Sequence, residues 1–167
     1  MASKKHYIIV SVTLGAIAAA SAVLIGVTNL VTRDRINENE HKRVEAGLTY
    51  IFGDGVNIEE EKDLDTYKYV THYYSLGDGK RAFRTDGSNM YGKVSLIIGF
   101  NEEEFIRLYV ITNEQTYAST LVDNYINPVN SDERAYDDVE CGATYGAKLV
   151  RDMITDASQA VKDMRKE

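Results

Sequence analysis

The chain has 167 residues, 44% of them hydrophobic and 27% charged, enough for one folded domain and a modest extension. A net charge of -7 leaves no basic excess to displace counterions from a polyanion, which argues against nucleic-acid binding. Cys141 is the only cysteine, so internal disulfides and multi-thiolate metal sites are excluded.

A six-residue head, "MASKKH", precedes "YIIVSVTLGAIAAASAVLIGVTNLV", Tyr7 to Val31, which contains no charge. At a rise of about 1.5 Å per residue this run spans a hydrocarbon core of roughly 30 Å with length left for tilt. Ala18 to Ala22 would offer small residues for signal-peptide cleavage, but the apolar run continues well past them, so a retained anchor is expected. Lys4 and Lys5 before the span nearly balance Arg33 and Arg35 after it. So short a head is easily left in the cytoplasm, which predicts a single-pass protein of the cell membrane with its domain outside.

Residues 32–53 read as a helical stalk. Ile36, Val44, Leu48 and Ile51 or Phe52 recur near one face at helical spacing, and Gly53 and Gly55 stop the helix. The remaining residues, 54–167, form the domain. "NIEEEKDLD" reads as an acidic loop without metal-ligand spacing. Four runs rich in β-branched and aromatic residues follow: "YKYVTHYYSL", "KRAFRT", "YGKVSLIIGF" and "EFIRLYVIT". The turn-forming segments "GDG", "DGSN" and "NEE" separate them, and the last two runs make a hairpin. "EQTYASTLVDNYI" is a short helix and "NPVNSDERAYDD" a loop. From Gly146 onward Leu149, Val150, Met153, Ile154, Ala157, Val161 and Met164 form an apolar stripe with a period near 3.6. The expected fold is α+β: an N-terminal transmembrane helix, then a small antiparallel sheet with a packed C-terminal helix.

"DDVECGATYGAKLV", residues 137–150, places four small residues at the start of that last helix. A helix N-terminus presents unsatisfied N–H groups and a partial positive charge, which suits phosphate. Gly142 and Ala143 leave a bulky ligand room to reach the backbone, and Thr144 adds a hydroxyl. The residues alone leave two readings of Thr144, a phosphate-site residue and a plain helix cap.

Asp138-Val-Glu-Cys-Gly-Ala-Thr144 resembles the flavinylation motif of the FMN-binding domain family, Asp-x-x-Ser/Thr-Gly-Ala-Thr, with Cys141 at the Ser/Thr position. That family includes the G subunit of the Rnf electron-transport complex and the C subunit of the sodium-translocating NADH:quinone oxidoreductase. "NLVTRDRINENEHKRVEAGLTYIFG" and "YGKVSLIIGFNEEEFIRLYVITNEQT" are similar to the helix, hairpin and loop of the Rnf subunit. Tyr91-Gly92 stands where that family has Gly-Tyr-Gly-Gly. Gln115-Thr116 stands where it has Glu-Thr-Pro-Gly-Leu-Gly, a loop that borders the flavin there.

The resemblance implies FMN esterified through its phosphate to Thr144, attached by a separate flavin transferase that uses FAD. It also implies partners among the other subunits of a membrane redox complex. Tyr145, Tyr117 and Thr116 become candidates to border the ring, and Lys148 to offset phosphate charge. No histidine lies near the motif, so Thr144 reads as a substrate for modification rather than a catalyst. The sequence leaves open a stand-alone flavin carrier and a non-redox anchored interaction domain. The anchor itself is testable: after alkaline carbonate washing the chain should stay in the membrane pellet with Tyr7 to Val31 intact. A soluble product starting near Ala22 would show a cleaved signal instead.

Overall fold

The structure, a computed structural model, describes residues 4–117, 119–140, 142 and 144–165. Two compact units divide the chain, Met1–Lys42 and Arg43–Glu167. Helix α1 (Lys4–Phe52) supplies the described residues of the first unit and the opening of the second.

In the first unit no described side chain is buried, including Tyr7, Ile8, Ile9, Leu24, Ile25 and Leu30. An 18-residue window here has a mean hydropathy of 2.5, so α1 is the one helix among the described residues long and apolar enough to cross a membrane. Leaving such side chains in water forgoes about 1.5–3 kcal/mol for each large one, a loss that a hydrocarbon surround removes. The helix ends where the sequence predicts. Gly53 takes φ 91° and donates its N–H to the Thr49 carbonyl at 2.9 Å.

The second unit is built on a five-stranded antiparallel meander: β1 (Glu60–Asp63), β2 (Val70–Ser75), β3 (Lys80–Asn89), β4 (Gly92–Asn101) and β5 (Glu104–Asn113). Alternation along β4 sends Val94, Leu96, Ile98 and Phe100 to one face and Ile97 to the other. Helices α2 (Ser119–Asn130) and α3 (Thr144–Met164) cover the first face. There α3 buries Leu149, Val150, Met153, Ile154, Ala157 and Val161, the predicted stripe, while Met164 stays partly buried. The final turns of α1 cover the opposite face, where Val44, Leu48 and Ile51 meet Tyr74, Ala82 and Ile97. The fold is α+β.

Three local expectations are corrected. Glu60–Asp63, read as loop, is an edge strand paired with β2. All four of its side chains are exposed, so no apolar alternation betrays it. "DGSN" is not a turn, because β3 runs through it to Asn89. A Cβ on Gly87 would lie 2.9 Å from Leu149 Cδ1, so the glycine admits α3 instead of bending the chain. "NPVN" is not loop, because α2 continues through Pro128 to Asn130. Val129 is buried there, and the Asn130 carboxamide accepts from the Leu108 N–H (2.8 Å) and donates to the Leu108 carbonyl (2.9 Å). That amide occupies the outer edge of β5 much as a neighbouring strand would.

The sheet face toward α1 has a polar end. Asp86 accepts hydrogen bonds from the Ser95 and Thr71 hydroxyls and pairs with Lys93 (3.1 Å) and Arg84 (3.3 Å). Burial alone would push its carboxyl up, but these partners hold it below the ordinary value of 3.8. A carboxyl lowered in this way contributes stability above its unfolded pKa and loses it as pH falls through the folded one. Asp86→Asn should therefore destabilise the chain by about 1–2 kcal/mol near pH 7, and by progressively less as pH falls below 3.8. Urea denaturation followed by tyrosine fluorescence reads the difference, and a cost independent of pH would contradict it.

Candidate functional site

At one end of the sheet, three segments converge: the β3–β4 turn, the loop after β5 and the first turn of α3. Gly92 makes the first contact possible. Its φ of 144° lies outside the range of ordinary side chains, and a Cβ there would overlap the Glu114 carbonyl oxygen. The loop thus lies directly on the turn, continuing the strand pairing. The Glu114 N–H donates to the Lys93 carbonyl (2.8 Å), and the Thr116 N–H (2.7 Å) and hydroxyl (2.9 Å) both donate to the Tyr91 carbonyl.

Asn89 ties the three segments together. Its Oδ1 accepts from the Tyr91 N–H (2.8 Å) and from Gln115 Nε2 (3.1 Å), and its Nδ2 donates to the Tyr145 carbonyl in α3 (3.4 Å). Gln115 Nε2 also donates to the Gly92 carbonyl at 2.7 Å. On the helix side Gly146 packs against Val122 of α2, where a Cβ would stand 2.5 Å from Val122 Cγ2.

Between these walls lies an open cleft of about 210 Å³, lined by Tyr91, Gln115, Tyr117, Val122, Gly142, Thr144, Tyr145 and Gly146. None of these residues carries a charge. Tyr91 stands 5.4 Å from Tyr117 and 5.9 Å from Tyr145, centroid to centroid. Tyr117 is 67% exposed and Tyr145 63%, so these rings border an open slot and are not core residues. Thr144 opens α3 and is exposed, and its hydroxyl has no hydrogen-bond partner among the described residues. The first turn of α3 contains no acidic residue to offset its free N–H groups.

The structure thus brings together four residues singled out from sequence: Gly142, with φ 79°, Thr144, Tyr145 and Tyr117. Thr116 sits beside them, bonded to the Tyr91 carbonyl. Lys148 is exposed on α3 one turn beyond Thr144 and does not line the cleft. Asp138 lies outside it too. Its carboxylate pairs with Arg134 (3.5 Å) and accepts from the Glu140 N–H (3.3 Å), holding the loop that leads to Gly142. Cys141 and Ala143 fall outside the described residues.

Sequence reasoning missed Asn89, Tyr91, Gln115, Val122 and Gly146 as parts of one site. A signal for two was present, because Tyr91-Gly92 and Gln115-Thr116 stand at the resembled family's strand start and flavin loop. Chemically, the cleft suits a flat aromatic group between tyrosines and an anion at the end of α3.

Residues 1–51 match the family described as the RnfG N-terminal region, which supports an RnfG-like subunit. No curated protein and no solved structure matches the chain. The family match ends within α1, before the first strand, so the cleft lies beyond it. The close approach at Gly146 is testable: Gly146→Ala should cost about 1–3 kcal/mol by forcing α3 off Val122. A thermal melt unchanged from wild type would show that the contact yields freely.

Proposed function

With an N-terminal region of RnfG type as the premise, we propose that the chain is a membrane-anchored electron carrier in an Rnf-like complex, with FMN joined to Thr144 by a phosphoester. One observation carries the reading. A threonine hydroxyl, exposed and without a partner among the described residues, stands at the N-terminus of α3 and opens onto an uncharged, tyrosine-walled cleft.

The residues present fit such a group. Free N–H groups in the first turn of α3 would face the phosphate, and Lys148 one turn on would add a positive charge at moderate range. Tyr91, Tyr117 and Tyr145 would border the ring, and Gly142 would keep the approach to the backbone clear. A flavin transferase with FAD as donor would attach the group. Thr144 would supply the hydroxyl oxygen of the new P–O bond, the FAD pyrophosphate would be cleaved with AMP as leaving group, and the proton would pass to a base of the transferase. The loop held by Asp138 and Arg134 lies within reach of that enzyme, since both Asp138 and Glu140 are exposed. Once bound, FMN supplies one- and two-electron redox chemistry, and the chain supplies its position and surroundings.

The anchor confines this chemistry to the membrane surface beside the other subunits of the complex. The Lys-bearing head stays in the cytoplasm, and the domain lies outside.

Made beside an active transferase, the chain should give a fluorescent flavin band on a denaturing gel, since only a covalent link survives unfolding. Thr144→Ala should abolish the band but leave a folded, membrane-bound protein, because losing an exposed hydroxyl at a helix start costs only about 0.5–2 kcal/mol. Cys141→Ser should keep the band. A band that persists in Thr144→Ala would move the attachment elsewhere, and a wild-type chain without one would end the flavin reading.

A further inference from the structure

Gln115 is 6% exposed, yet it lines the cleft. The orientation of its carboxamide is determined by its surroundings. Asn89 Oδ1 accepts the Tyr91 backbone N–H, so the Asn89 atom facing Gln115 is an oxygen. The Gly92 atom facing Gln115 is a carbonyl oxygen. A reversed amide would set oxygen against oxygen at the Gly92 contact and would offer Asn89 only an acceptor. Both Nε2 hydrogens are therefore committed, one to each partner.

This leaves Oε1 as the amide's only free function. It lies 3.7 Å from the position a Cβ on Gly146 would take, on the cleft side of the first turn of α3. It has no hydrogen-bond partner among the described residues. Oε1 is not among the buried unpartnered atoms and so opens onto the cleft, where the two bonds on Nε2 prevent it from turning away. Around it the walls are apolar or aromatic: Val122, Tyr91 and Tyr145. A fixed acceptor in an aromatic slot recognises a flat ring that carries an N–H donor on its edge.

We infer that Gln115 Oε1 accepts a hydrogen bond from the flavin imide N3–H, the single N–H of the oxidised isoalloxazine ring, and so sets which edge of the ring enters the cleft. This rests on the flavin reading. Asn89 acts through Gln115 as its positioning residue, and the commitment of Nε2 excludes a donor role toward the ring carbonyls.

The test uses the full chain in detergent, flavinylated with ¹⁵N-labelled FMN, and follows N3–H exchange with water by ¹⁵N-edited proton NMR. In the wild type, exchange should be about tenfold slower than in free FMN, the factor that one net hydrogen bond of ordinary strength represents. Gln115→Met should return exchange to near the free rate while the denaturing-gel band persists. A wild-type band with N3–H exchanging at the free rate would overturn the inference alone, assigning the acceptor to a ribityl hydroxyl or to water. Slow exchange surviving in Gln115→Met would overturn it as well. A wild-type chain without any flavin band would instead overturn the attachment at Thr144, and this inference with it. The wild-type measurement stands whether or not the variant folds.

Discussion

The domain is organised by the burial of β4 on both faces. Val94 through Phe100 are enclosed without a break, which in an antiparallel sheet requires a layer on each side. The long amphipathic α3 is one layer, and the end of α1 is the other. Since α1 must cover the sheet with Val44, Leu48 and Ile51, its last turns belong to the folded unit and are more than a tether. The end of α1 in the folded unit thus presents a single buried stripe to the sheet.

The cleft follows from how β4 begins. Gly92 admits the Glu114 carbonyl against its Cα, so the loop after β5 doubles back onto the β3–β4 turn. Two side-chain amides then do what backbone pairing does elsewhere in the sheet. Asn89 and Gln115 satisfy each other, the turn and the first turn of α3. Neutral amides suit this place. A carboxylate would repel the phosphate proposed at the helix start, and an ammonium would need a partner that the uncharged lining does not provide. The charged residues of the neighbourhood are held outside: Asp138 with Arg134, and Lys148 on the outer face of α3.

The flavin proposed at Thr144 would place modest demands on such a site. A covalent link would remove the need for affinity, which accords with open walls and largely exposed tyrosines. The walls would then have to provide orientation, the role inferred for the fixed Gln115 acceptor among the aromatic rings. The openness of the cleft would also suit electron exchange with a partner in the proposed complex.

The sequence by itself determined the features that depend on local pattern. The uncharged run Tyr7 to Val31, the period-3.6 stripe of α3 and the glycine stop at Gly53 follow from residues a few positions apart, so they are legible without partners. The hairpin between β4 and β5 follows from apolar runs broken by "NEE". The same local logic placed Gly142 and Thr144 as candidates, while Tyr145 and Tyr117 came from the family resemblance. Tertiary structure decided the rest. Glu60–Asp63 is a strand only because β2 offers it an edge, and "DGSN" stays extended because β4 pairs with it from Ser95 to Gly92. The amide pair that shapes the cleft joins residues 89 and 115, and Gly146 answers to Val122, contacts that no short-range periodicity encodes. Local pattern reports the conformation a segment favours alone, whereas a site assembled from three segments exists only once the sheet has brought them together.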